Sequence, residues 1–288
     1  MWIVFAAGSA IFAGATAVLA KVGVKDTDSD VATALRTVIV LLFSWLMVFV
    51  TDSYVPVAEV SGKNFWLLGL SGTATGASWL CYFKALQLGD VNKVTPIDKT
   101  STVLTMILAF LFLGEPVSII MFLGMIGILT GTMLMIEKKA VAFEKEQKRD
   151  YRWLVYAICS AVFASVTSIL GKLGMEGIPS NYGTAVRTCV VLIMAWIVVL
   201  VQKKQGKIAE SGKRSWFFLV LSGITTGLSW LCYYRALQEG PASIVAPIDK
   251  LSVLITILFA RVFLKEKLSK KAAVGLILLV SGTLLLLL

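Results

Sequence analysis

The sequence predicts an all-α membrane protein in which ten transmembrane helices form two inverted five-helix repeats. Three observations predict it. Hydrophobic residues make up 58% of the 288 and charged residues only 15%, well below the roughly 25% of an ordinary soluble domain; the mean hydropathy is +0.85. The chain is also one unit written twice. GASWLCYFKAL at 76–86 recurs as GLSWLCYYRAL at 227–237, PIDK at 96–99 recurs at 247–250, and FAGATAVLAKVG at 12–23 answers FASVTSILGKLG at 163–174. Every pair is 151 residues apart, a fixed period that must be settled before any other reading. Finally, apolar runs of bilayer length fall five to each copy. Five is odd, so the second copy enters the membrane in the opposite sense to the first.

In the first copy the runs are 2–22, 31–50, 64–86, 94–113 and 116–136; in the second they are 153–173, 182–201, 216–237, 245–264 and 268–288. Each holds about 20 predominantly apolar residues, the length that spans a hydrocarbon core as a helix. The runs are continuously apolar and lack the period-two alternation of barrel strands, so helices are expected. The first run starts beside Met1 with no basic flank or small-residue cleavage site, and reads as a retained helix, not a signal peptide. The units are therefore 1–136 and 152–288, joined by the charged linker 137–151, EKKAVAFEKEQKRDY.

A formal net charge of +10 invites a nucleic-acid reading, which the positions of the charges exclude. Eight basic residues form four matched pairs within or at the ends of runs: Lys21/Lys172, Arg36/Arg187, Lys84/Arg235 and Lys99/Lys250. Of the other nineteen, eighteen lie near the connections after runs 1, 3, 5, 7 and 9, and only Lys63 lies on the other side. By the positive-inside rule this puts the linker in the cytoplasm and both termini outside it, in a multi-pass protein of the inner (plasma) membrane. There is no histidine, and Cys81, Cys159, Cys189 and Cys232 fall inside runs without zinc-ligand spacing. No metal, cofactor or disulfide framework is expected.

Gly72 and Gly76, Gly223 and Gly227, and Gly127 and Gly131 are small-residue pairs four apart, which predict close helix crossings. The chemistry concentrates in the fourth run of each copy. Asp98, Ser101, Thr102 and Thr105 share one helical face, and Asp249, Ser252 and Thr256 repeat it. An ionised side chain at mid-membrane costs about 2.5–3.5 kcal/mol, so such a face points at a cavity or a partner helix. Pro96 and Pro247 precede the acids and can loosen the helix or sit in its first turn. Lys99 and Lys250 lie about 100° round the helix from the acids, so each Asp is expected to take another partner: Arg36 or Lys84 for Asp98, Arg187 or Arg235 for Asp249. Lys21 and Lys84, near run ends, can instead snorkel to headgroups. Trp79 and Trp230 lie deeper than the usual aromatic belt, with Tyr82 and Tyr233 three residues further along the same helices; a cavity wall and simple packing both remain open. Glu115 and Glu266 are expected to cap the turn into the next helix.

Inverted repeats are a recurring plan of secondary transporters, with a midplane site and two alternately opened pathways. Cations outnumber carboxylates at span depth, which favours an anionic or zwitterionic metabolite such as an amino acid, exported or facilitated by alternating access. A lipid-headgroup or lipid-linked sugar flippase is the alternative. An intramembrane enzyme ranks below both, since nucleotide loops, histidine and metal-ligand clusters are missing. The expected partners are a small-molecule substrate and the bilayer, with no nucleic acid; proton coupling and a monomeric state are both compatible with the residues.

FLGEPVS at 112–118 and FLKEKLS at 263–269, each followed by a glycine-bearing last helix, resemble the EamA-like family of the drug/metabolite transporter superfamily over essentially the whole chain. The resemblance implies that the first, third and fourth helices of each repeat surround a central cavity. That would put Thr16, Trp79, Tyr82, Asp98, Ser101 and Thr105 at or near it, with Thr167, Trp230, Tyr233, Asp249, Ser252 and Thr256 opposite. The charged PIDK departs from the apolar, proline-containing fourth helix of many members. Members are commonly drawn with cytoplasmic termini; the charge bias here implies the reverse.

Overall fold

The apolar runs fold as helices because a chain in hydrocarbon must satisfy its own backbone groups. The computed structural model describes residues 1–23, 27–88, 94, 97–135, 151–210, 212–263 and 269–288. The linker up to residue 150, Pro96 and Glu266 lie outside the described residues. The first copy holds α1 (Trp2–Gly23), α2 (Ser29–Val50), α3 (Gly62–Leu88), α4 (Ser101–Phe112) and α5 (Ile119–Met135). The second holds α6 (Arg152–Gly174), α7 (Ser180–Val201), α8 (Lys213–Glu239), α9 (Ala242–Lys250), α10 (Ser252–Phe263) and α11 (Lys270–Leu285). No strand occurs among the described residues.

Among the described residues five helices are long and apolar enough to cross a membrane: α1 over Trp2–Ala20, α2, α6, α7 and α8, with α5 a shorter apolar helix. The outward faces of the helices carry Trp66, Leu111, Phe112, Ile119, Phe122, Val155, Ile193, Leu200 and Phe217, all exposed. An apolar surface of that extent fits lipid and would be a liability in water.

The fourth run is not one helix. In the second copy α9 stops at Lys250 and α10 starts at Ser252. At the joint Leu251 N–H donates to Ile248 O at 2.9 Å and Leu254 N–H to Leu251 O at 2.8 Å, a tighter three-residue turn in place of the α pattern. Pro247 lies inside α9, not in its first turn, and its missing N–H leaves the turn before the joint one bond short. The first copy has the same joint: Thr100 N–H donates to Ile97 O at 3.0 Å and the Thr100 hydroxyl to the same oxygen at 2.6 Å. The continuous polar face expected over Asp98–Thr105 is thus broken one residue after Lys99.

Helices pack mainly across the two copies. α3 lies on α6 as α1 lies on α8; α3 lies on α7 as α8 lies on α2; α4 lies on α6 as α10 lies on α1; α2 pairs with α7 and α5 with α11. Each contact thus reappears when the copies are exchanged. Glycine permits the closest crossings. A Cβ on Gly131 would stand 2.5 Å from Gly275 O, and one on Gly275 2.6 Å from Gly131 O. A Cβ on Gly72 would meet Val190 at 2.7 Å, and one on Gly223 would meet Ile39 at 2.6 Å, again the same contact in both copies.

The repeated serine after each fourth segment starts the next helix. Ser118 Oγ accepts from Met121 N–H at 3.1 Å and Ser269 Oγ from Ala272 N–H at 3.2 Å, the bond an N-cap makes. Glu115 was expected to perform that local task and does not. Its carboxylate accepts from Ala242 N–H at 2.6 Å and Ser243 N–H at 2.9 Å, at the N-terminus of α9 in the other copy, and pairs with Lys172 at 3.4 Å. With Ser118 serving the next helix, Glu115 meets the orphan donors and positive end of a different one.

Candidate functional site

Three adjoining cavities lie between the copies. The first, about 320 Å³, is lined by Arg187, Thr75, Ser78, Trp79, Thr167, Ser229, Trp230, Tyr233, Tyr234, Asp249 and Lys250. The second, about 430 Å³, is lined by Arg36, Ser78, Trp79, Tyr82, Asp98, Lys99, Ser101, Ser160 and Lys250. The third, about 360 Å³, holds Lys99, Thr102, Lys250, Ser252 and Thr256. Lys250 borders all three. Arg36, Trp79, Tyr82, Asp98, Lys99, Ser101, Arg187, Trp230, Tyr233, Asp249, Lys250, Ser252 and Thr256 therefore border these spaces. Thr105 does not: it is buried, and its hydroxyl donates to Ser101 O at 2.9 Å.

The acids do not take arginine partners as expected. Ser160 Oγ, on α6, donates to Asp98 Oδ1 at 2.8 Å and lies 3.3 Å from Ser78 Oγ. Ser9 Oγ, on α1, donates to Asp249 Oδ1 at 2.6 Å and lies 3.3 Å from Ser229 Oγ. Each member of one cluster is 151 positions from its counterpart in the other. Each cluster joins the fourth segment and third helix of one copy to the first helix of the other. Lys250 also reaches its neighbour Asp249, at 3.7 Å. The 100° offset is expected to prevent this, but the long side chain at the last residue of α9 reaches the carboxylate beside it. The serines carried a legible signal: each is a hydroxyl kept at the same place in both copies, inside an apolar run.

The arginines sit among hydroxyls. Arg187 Nε donates to Ser71 Oγ at 2.9 Å and Nη2 to Thr75 Oγ1 at 2.5 Å. Its guanidinium lies 4.7 Å from the Tyr234 ring centroid and 5.2 Å from that of Trp230, within cation–π range. Arg36 makes the corresponding bond more loosely, Nη1 to Ser222 Oγ at 3.5 Å. Arg235, offered as a partner for Asp249, instead pairs with Glu239 at 2.6 Å. Tyr233 exchanges a hydrogen bond with Ser168 at 3.0 Å, where the first copy has Ala17.

The ends of the α2–α7 pair differ. At one, Lys204 bonds Asp30 and lies 3.3 Å from Asp28, as does Lys207. Burial alone would raise the Asp28 pKa; the Asp30 N–H and the two ammonium groups outweigh it and hold the carboxyl below its ordinary range. Burial likewise acts to lower Lys204, and Asp30 and Asp28 outweigh it, holding the amine above its ordinary value. At the other end Asn181 donates to Thr51 Oγ1 at 2.9 Å, and Tyr182 meets Trp45 and Tyr54 edge-on at 6.0 and 6.1 Å. One end is ionic, the other neutral and aromatic.

Charged groups and indoles thus face internal space, a lining suited to binding a polar solute. Proteins named as a transporter and a solute carrier resemble the chain. A protein named as an uncharacterized transporter in the cobO 3′ region of Sinorhizobium sp is 46% identical over 134 residues, 46% of this chain and 95% of that protein, so it is about the size of one copy. Mouse solute carrier family 35 member G1 is 31% identical over 132 residues, which are 46% of this chain and 35% of that longer protein. One crystal structure shares the fold at a TM-score of 0.80, with 19% identity, covering 100% of this chain and 98% of that one. The EamA-like transporter family matches residues 1–137 and again 151–288, so that both copies, and with them the chain, belong to that family.

Proposed function

We propose that the chain is a secondary transporter or facilitator that exports a small anionic or zwitterionic metabolite, such as an amino acid, by alternating access between two inverted five-helix halves. The observation that carries this reading is the charge lining the cavities: Arg36, Lys99, Arg187 and Lys250 against Asp98 and Asp249. Buried cations in excess are costly unless solvated or matched by a ligand. A carboxylate or phosphate supplies the missing charge, whereas a lipophilic cation meets repulsion. The exchange of contacts between copies, and a relative of single-copy length, support an inverted pair. The arrangement gives each half one Asp–Ser–Ser cluster and one arginine, as two alternating gates require. The carboxylates are candidates for proton coupling, and the basic connections favour termini outside the cytoplasm in the plasma membrane.

Purified protein in proteoliposomes, offered labelled amino acids, carboxylates, phosphate esters and quaternary ammonium compounds, tests the reading. Saturable uptake restricted to the anions and zwitterions is expected. Uptake of quaternary ammonium compounds alone, or scrambling of labelled lipid headgroups, would overturn it.

A further inference from the structure

Arg187 is 2% exposed, yet the hydrogen-bond and ring partners of its guanidinium among the described residues are neutral: the Ser71 and Thr75 hydroxyls and the faces of Trp230 and Tyr234. No carboxylate among the described residues lies within ion-pair distance of it, and Nη1 is buried with no hydrogen-bond partner. A buried guanidinium without a counter-charge is strongly unfavourable. Hydroxyls and ring faces offset part of that cost but neutralise none of the charge. The nearby acid is otherwise engaged, since Asp249 accepts from Ser9 and lies 3.7 Å from Lys250. Arg187 therefore carries the unmatched charge of its cavity, and that cavity, of about 320 Å³, has the size of a small-ligand site.

We propose that Arg187 Nη1 anchors the oxyanion, carboxylate or phosphate, of a small organic anion whose body lies against Trp230 and Trp79. The inference rests on the transport reading above and narrows it: what is recognised here is a negatively charged headgroup, through one guanidinium nitrogen held in place by the other two. Nη1 carries two N–H donors that either oxyanion can accept, and an ammonium in its place is a point charge not held in plane by the Ser71 and Thr75 bonds.

Thermal unfolding of the full-length protein in detergent tests this, with sodium propionate, inorganic phosphate and tetramethylammonium chloride as probes at matched ionic strength. A ligand that binds only the folded protein raises its midpoint. Propionate or phosphate is expected to raise it and tetramethylammonium is not; a response to propionate alone assigns free carboxylates, and one to phosphate alone assigns phosphate esters. Arg187→Gln should abolish the anion response, and Arg187→Lys should weaken apparent affinity about tenfold or more. If Arg187→Gln does not fold, Arg187→Lys is read alone. A wild-type-like anion response in either variant, or a response to tetramethylammonium only, overturns the proposal. Saturable uptake that survives alongside such a result would leave the transport reading standing without this anchor. Anion stabilisation of wild-type protein without any flux would leave the anchor and remove the transport reading.

Discussion

Ser9 donates its hydroxyl to Asp249 at 2.6 Å, tying the first helix of one copy to the fourth segment of the other, and Ser160 ties Asp98 in the same way at 2.8 Å. These bonds cross the surface between the copies, where any opening of a pathway must act. Ser9→Ala and Ser160→Ala are each expected to destabilise the fold by about 0.6–1.7 kcal/mol, the range for such bonds between membrane helices. A double-mutant cycle of Ser9→Ala with Asp249→Ala, followed by chemical unfolding in detergent, should show coupling above about 0.5 kcal/mol. Strict additivity would mean that the bond contributes nothing.

The Lys204 cluster makes stability depend on pH at both extremes. Asp28, its pKa lowered, contributes stability that is full above the ordinary 3.8 and is lost as pH falls through the lowered value. Lys204, its pKa raised, contributes stability that is full below the ordinary 10.5 and is lost as pH rises through the raised value. Lys204→Ala should therefore cost about 1 kcal/mol, constant between about pH 5 and pH 9 and shrinking on both sides. Unfolding midpoints of both proteins across that range check it; a gap that grows toward acid would contradict the assignment.

Glu115 holds the N-terminus of α9 from the opposite copy. Glu115→Ala should cost about 1–2 kcal/mol, as the loss of an N-cap does, while Glu115→Gln, which keeps an acceptor, should cost less. Equal losses in the two variants, measured by unfolding, would mean that the Lys172 ion pair at 3.4 Å and not the cap provides the stabilisation.

The α5–α11 crossing leaves no room for a side chain. Gly131→Val would press on the Gly275 and Leu279 backbone, 2.5 Å from the added Cβ, and backbone cannot rotate away as a side chain can. It should abolish folded protein in membranes, whereas Gly62→Ala, with nothing within 4 Å, should leave the yield unchanged. Size-exclusion profiles in detergent read the difference; a monodisperse Gly131→Val protein would contradict the crossing.

Much of this was legible in the sequence because membrane helices must be long, apolar and internally bonded. The apolar runs and the glycine pairs follow from that requirement, and Asp98, Lys99, Arg36, Trp79 and their counterparts border internal space, where charge within an apolar run is least costly. What failed was any inference about partners. Glu115 was assigned to the helix beside it because sequence shows only neighbours, and Ser118 already served that helix. Asp98 and Asp249 were matched to basic residues by charge, yet each accepts a hydroxyl from the opposite copy. Nothing in the spacing of a single helix shows which helix faces it. The joint at Leu251 was half legible in Pro247, whose effect depends on its position in the helix. Lys204 and Lys207 counted only toward the topology signal, since loop charges give no hint that Lys204 pairs with Asp30 across 174 positions.

Solute counterflow tests the central claim most directly. Proteoliposomes loaded with an unlabelled anionic metabolite from the uptake panel, then diluted into a trace of the same labelled compound, should accumulate label transiently above equilibrium, because a carrier exchanges one solute for another through a site open to one side at a time. Asp98→Asn, Asp249→Asn and Arg187→Gln should each lower the overshoot. Label that only equilibrates, at a rate linear in concentration and indifferent to these substitutions, would contradict the account.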